Sequence, residues 1–197
     1  MPRVNIAVDS EVLEELEQEA KRKGYTLFAI TNLALKAVTE ILKEGGDSET
    51  LLSLVEYYKI VKDLEIIPVT TWYLENLIKV AYESDKNKVT EICEATGIQV
   101  ASYLKTKAST LSELMNIYDQ VKEILPIKDI SIKQNGDTID LRITGSGFGI
   151  ESTTCASNIL KKILEEYGFQ IISITPSPGG VILVKAKASS VAEGRQI

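Results

Sequence analysis

Histidine is absent from the 197-residue chain, and with it goes the commonest metal ligand and general base near neutral pH. Cysteine is nearly absent: Cys93 and Cys155 lie in helix-like segments without metal-ligand spacing, and each is expected to be a small buried hydrophobe. No nucleophile has a base beside it and no carboxylates cluster at ligand spacing, so the expectation is no catalytic residue, no metal, no cofactor and no enzyme. Positive charge is in deficit, 22 Lys and Arg against 28 Asp and Glu for a net −6, which argues against coating a polyanion. There is no apolar run of about 18 residues and no signal pattern, so the expected protein is cytoplasmic, neither spanning a membrane nor secreted.

What is present begins at the first ten residues. From Arg3 to Val8 apolar residues alternate, so a strand would turn Val4, Ile6 and Val8 to one face and Arg3, Asn5 and Ala7 to the other. The second face carries a guanidinium, a carboxamide and a methyl, groups that read base edges in a DNA major groove. Asp9 then caps a helix through Lys23 on which Leu13, Leu16 and Ala20 recur at helical spacing. Gly24 stops it and Thr26 caps a second helix to about Leu42, with Ile30, Ala34, Ala37, Val38 and Ile41 inward. Leu27, Phe28, Leu35 and Leu42 form a surplus apolar stripe, which points to a partner surface.

This order of strand, helix, tight turn and helix, carried by Arg3 to Asp9, Leu13 to Leu16 and Lys23 to Thr26, resembles the ribbon-helix-helix DNA-binding family of the Arc and MetJ repressors. The resemblance covers roughly the first quarter of the chain. It implies a homodimer whose two strands form a ribbon in the major groove. It places Arg3, Asn5 and Ala7 at the base-reading positions and Thr26 and Leu27 where backbone amides hold a phosphate. Family members often carry arginines near the start of the second helix, where this chain has Leu27 and Asn32. Residues 1–46 hold six basic and eight acidic side chains, a net −2, so affinity would draw on local contacts. Lys21, Arg22 and Lys23 either touch phosphates, Lys23 foremost, or complement the dipole at a helix end.

Gly45-Gly46-Asp47-Ser48 reads as a hinge and cap, dividing residues 1–46 from a C-terminal domain, 47–197. Residues 48–126 read as helical: a helix from Glu49 to Leu64, another from Trp72 to Tyr82, a third opening at Ser84-Asp85 and ending near Gly97, then one from Ile98 to Lys107. Thr110 and Glu113 form a capping box for a helix to Leu125. Residues 127–188 change texture to α+β. Asn135-Gly136 joins two alternating segments as a hairpin, Ser152 to Tyr167 is a helix, and Gln170 to Ile174 pairs with Val181 to Lys187. The fold class expected is mainly α with α+β: a ribbon-helix-helix dimerisation domain, a helical middle and a C-terminal ββαββ unit. The tail from Ser189 is expected to fray.

Between strand and helix, Gly145, Gly147 and Gly149 precede Ser152 and Thr153. Such a loop either cradles an anion at a helix N-terminus or is a flexible connection. Trp72, Tyr73, Tyr82, Tyr57, Tyr58 and Tyr103 either line an aromatic effector pocket or are core. The expected function is a dimeric, sequence-specific transcription regulator, a repressor, with double-stranded DNA and itself as partners and a small-molecule effector or higher assembly served by the C-terminal domain. The alternative is a structural or interaction protein, such as a DNA-segregation adaptor, using the ribbon only to dimerise.

Overall fold

Four antiparallel strands and the helix that covers them hold the core in a computed structural model that describes residues 4–122, 124–145 and 147–189. Arg3 and the tail 190–197 lie outside the described residues. The chain divides into two compact units, Met1–Leu51 and Leu52–Ile197.

The first unit contains α1 (Ser10–Arg22) and α2 (Leu27–Lys43). Asp9 caps α1 through a 2.9 Å bond from the Glu11 amide, and Thr26 caps α2 by accepting from Ala29. Gly24 makes the turn at φ +76°, a backbone conformation costly for any residue with a Cβ. The two helix axes are bent by 108°. Both helices and their caps are where the sequence puts them.

The expected ribbon is not there. Residues 4–9 form no strand, and the described strands all lie between Ile127 and Ala188, so the N-terminal ribbon-helix-helix fold is corrected to an irregular N-terminal arm followed by two helices. The alternation of Val4, Ile6 and Val8 supplied a face but no neighbour for it. Those side chains are 84%, 55% and 46% exposed. Without a second strand their backbone donors and acceptors have nothing to pair with.

The second unit takes up the remaining elements, apart from the first turn of α3 (Ser48–Asp63). Asp47 caps that helix in a reciprocal pair with Thr50, whose amide and hydroxyl hold the Asp47 carboxyl below the usual range. Thr71–Lys105 forms α4, two helices joined across a kink at Asp85, where three were expected. At Asp85 the backbone leaves helical geometry, and the Asp85 carboxylate accepts from Lys88 as a cap inside the helix. The start read at Ser84-Asp85 is thus where the second half of α4 begins, whereas the helix runs on through Gly97 to Lys105. Leu111–Val121 is α5, opened by the Thr110–Glu113 capping box.

The sheet comprises β1 (Ile127–Asn135), β2 (Thr138–Gly145), β3 (Phe169–Ser177) and β4 (Val181–Ala188), in the order β1-β2-β4-β3. Asn135 pairs with Thr138 across the Gly136 turn, as the Asn-Gly hairpin signal requires. The helix α6 (Ile150–Glu166) lays Leu164 on Ile139, Leu141, Phe169, Ile182, Val184 and Ala186. This ββαββ arrangement matches the C-terminal expectation, and the alternation of β2 and β4 is its cause.

The other side of α6 receives α4. The helices run parallel, with Glu94 meeting Lys161 at 3.2 Å and Lys105 meeting Glu166 at 3.0 Å. Cys93 and Cys155 form a disulfide between them, which corrects the expectation of two separate thiols. The two segments lie 62 residues apart, a separation from which no local signal of pairing could come. Gly97 serves close approach: a Cβ there would stand 2.7 Å from the Ile159 carbonyl oxygen and 2.8 Å from Lys162 Cβ. Because backbone cannot swing aside as a side chain can, Gly97→Ala is expected to destabilise the second unit by about 1–3 kcal/mol. A lowered urea midpoint with an unchanged slope would show it; an unchanged midpoint would mean that the helices have room to part.

Candidate functional site

The residues expected to meet DNA fall in two places within the first unit. Asn5 and Ala7 stand exposed on the N-terminal arm, and Arg3 precedes the described residues. Lys23, Thr26 and Leu27 come together at the turn between α1 and α2. Lys21 pairs with Glu17 and Arg22 with Glu19, so two of the three cations at the end of α1 are neutralised by their own helix. Lys23 has no carboxylate partner among the described residues. It caps α1, exposed, three residues before the helix opened by Thr26. A lone ammonium beside fresh helix amides is chemistry suited to one phosphate.

Between these two places the dominant surface is apolar. α2 has no buried residue, and of α1 only Ala20 is buried. Leu33, Leu35 and Leu42 of α2 and Val12 of α1 are each about half exposed or more. Of the surplus stripe seen in the sequence, Phe28, Leu35 and Leu42 are exposed and Leu27 is half-buried, and Ile30, Val38 and Ile41 of the intended inner stripe are only half-buried. Asn32, Lys36, Thr39, Glu40 and Lys43 share the opposite, polar face of α2, and an amphipathic helix places its apolar face against a partner.

The glycine loop has a different arrangement from the expected anion cradle. The Gly149 amide, at the N-cap of α6, donates to Glu75 Oε2 at 2.8 Å, so the chain's own carboxylate fills the position an exogenous anion would take. A Cβ at Gly149 would meet that oxygen at 2.7 Å. Gly145 is small because Gly180 lies against it, its amide donating to the Gly180 carbonyl at 2.9 Å. Gly147 turns the chain at φ +88°. Thr153 is fully buried and its hydroxyl donates to the Gly149 carbonyl at 2.7 Å. The glycines therefore answer to close packing and turning. Glu75 Oε1 and the hydroxyls of Ser152 and Tyr82 are buried without a partner among the described residues, an environment suited to internal water.

The aromatic residues do not gather. Trp72 is 75% exposed, Tyr58 and Tyr73 are exposed, and Tyr103 donates to Asp63 at 3.2 Å from the edge of another site. That site is a groove of about 460 Å³ between α3, α4 and α5, which the sequence did not reveal because its lining comes from three separate segments. Burial, then Asp63, pushes the Tyr103 phenol upward in pKa. Among the described residues no group of three or more His, Cys, Asp or Glu could hold a metal ion, and no single helix is long and apolar enough to cross a membrane. Comparison with protein-family models finds no match, and comparison with curated proteins finds no relative.

Proposed function

We propose that the chain is a dimeric, sequence-specific DNA-binding transcription regulator. The observation that carries this reading is α2, which is apolar outside the polar stripe of Asn32, Lys36, Thr39, Glu40 and Lys43 and has no buried residue. Covering it with a second copy gives the unit the interior it lacks, and two-fold symmetry then presents two arms and two helix turns to an inverted repeat. Arg3, Asn5 and Ala7 contact base edges from the N-terminal arm, while Lys23 and the helix amides at Thr26 and Leu27 hold a phosphate. Repression is steric, by occupation of the operator, and residues 52–197 serve sensing or assembly.

Arg3→Ala removes a guanidinium worth about 1–3 kcal/mol of base discrimination. Specific binding should fall about tenfold or more while the dimer persists. Mobility shifts on the chain's own upstream region, at two salt concentrations, provide the measurement, since phosphate contacts must weaken steeply as salt rises. Equal operator binding by variant and parent would remove the base-reading role from Arg3. No shift even at low salt would leave an assembly protein that uses its first unit only to dimerise, the reading favoured by the net −2 of residues 1–46.

A further inference from the structure

We propose that the groove between α3, α4 and α5 binds a free amino acid with an apolar side chain. Its base is apolar and composite: Ile60 from α3, Leu104 from α4 and Ile117 from α5, all half-buried. A cavity of about 460 Å³ lies within the range of small-ligand sites. Its charged lining balances, Lys59 and Lys107 against Glu56 and Glu113, so a ligand with net charge gains nothing over one without.

The charges left underused determine the kind of neutral ligand. Lys59 and Glu56 satisfy each other as neighbours on α3. Lys107, two residues past the end of α4, lies over the Tyr103 ring at 5.8 Å and reaches Asp63 at 3.8 Å, an ion pair too long for a hydrogen bond. On α5, Glu113 commits Oε2 to the amides of Ser109 and Thr110, while Oε1 makes no hydrogen bond among the described residues. The groove therefore offers an ammonium with only a long ion pair and a ring contact, just past α4, and a carboxylate oxygen on α5. That pattern complements a zwitterion: its carboxylate meets Lys107, its ammonium meets Glu113, and its side chain covers the apolar base. Asn116 and Gln120 follow Glu113 on the same face of α5, and neither carboxamide has a hydrogen-bond partner among the described residues, so both are free to bond the ligand's polar end.

The site is independent of DNA binding and is tested without DNA. Calorimetry on the full chain compares leucine and phenylalanine with their decarboxylated amines and their deaminated acids. The amino acids should bind at least tenfold more tightly than either set of analogues, and Lys107→Ala and Asn116→Ala should each weaken them tenfold or more. The Asn116 carboxamide makes no hydrogen bond among the described residues, so its variant should unfold like the parent, and its loss of binding would report the groove alone. Absence of heat with both amino acids, equal binding of the amines or acids, or full binding by Asn116→Ala would each overturn the assignment.

Discussion

Replacing Cys93 and Cys155 together by alanine is expected to cost the second unit about 2–4 kcal/mol, near the upper end for a closed loop of this length. The cross-link spans 62 residues, and its Cα atoms stand 5.4 Å apart, within the span a disulfide bridges. It fastens α4 to α6, the helix that covers the sheet, so losing it frees the unfolded chain and loosens a layer of the fold. Cys93 is only 2% exposed, and the alanine variant also leaves a small void there. Urea unfolding of parent and variant, each with and without a dithiol reductant, separates the contributions. Reductant should lower the parent's midpoint and leave the variant's unmoved. The denatured parent should titrate no free thiol before reduction and two afterwards. If two thiols appeared without reductant, the cysteines would be the separate hydrophobes their spacing suggests. A lasting disulfide also requires surroundings in which thiols are not kept reduced.

Charging the exposed Leu35–Leu42 face of α2 should abolish the proposed dimer. Leu35 and Leu42 lie seven residues apart on that helix and are 49% and 54% exposed. Burying a leucine fully is worth about 1.5–3 kcal/mol, and two-fold symmetry counts each position twice. Leu35→Glu with Leu42→Glu forfeits that burial and sets carboxylates against an apolar surface. Dissociation should rise at least a hundredfold, about 2.7 kcal/mol, and at micromolar concentration the variant should sediment as a monomer. The second unit, whose core lies in the sheet and α6, should keep its own unfolding transition, which separates lost assembly from general misfolding. A parent chain that is itself monomeric at these concentrations would remove the two-fold core on which the regulatory proposal depends.

The amino-acid order alone determined every feature whose cause lies within a few residues. Asp9, Thr26 and the Thr110–Glu113 pair cap helices because their side chains reach amides two or three positions on. Asn135-Gly136 turns a hairpin because glycine tolerates φ +63°. Alternation in β2 and β4 decides which side of the sheet α6 covers. Tertiary structure decided what depends on partners distant in the chain. Glu75 sits 74 residues from the Gly149 amide it accepts from, and Cys155 lies 62 from Cys93. The groove collects residues of three helices, and Gly97 proved to be a contact with α6 where its local reading was a helix end. The arm shows the same division, since period-two alternation creates a face while a strand exists only when other backbone satisfies its hydrogen bonds.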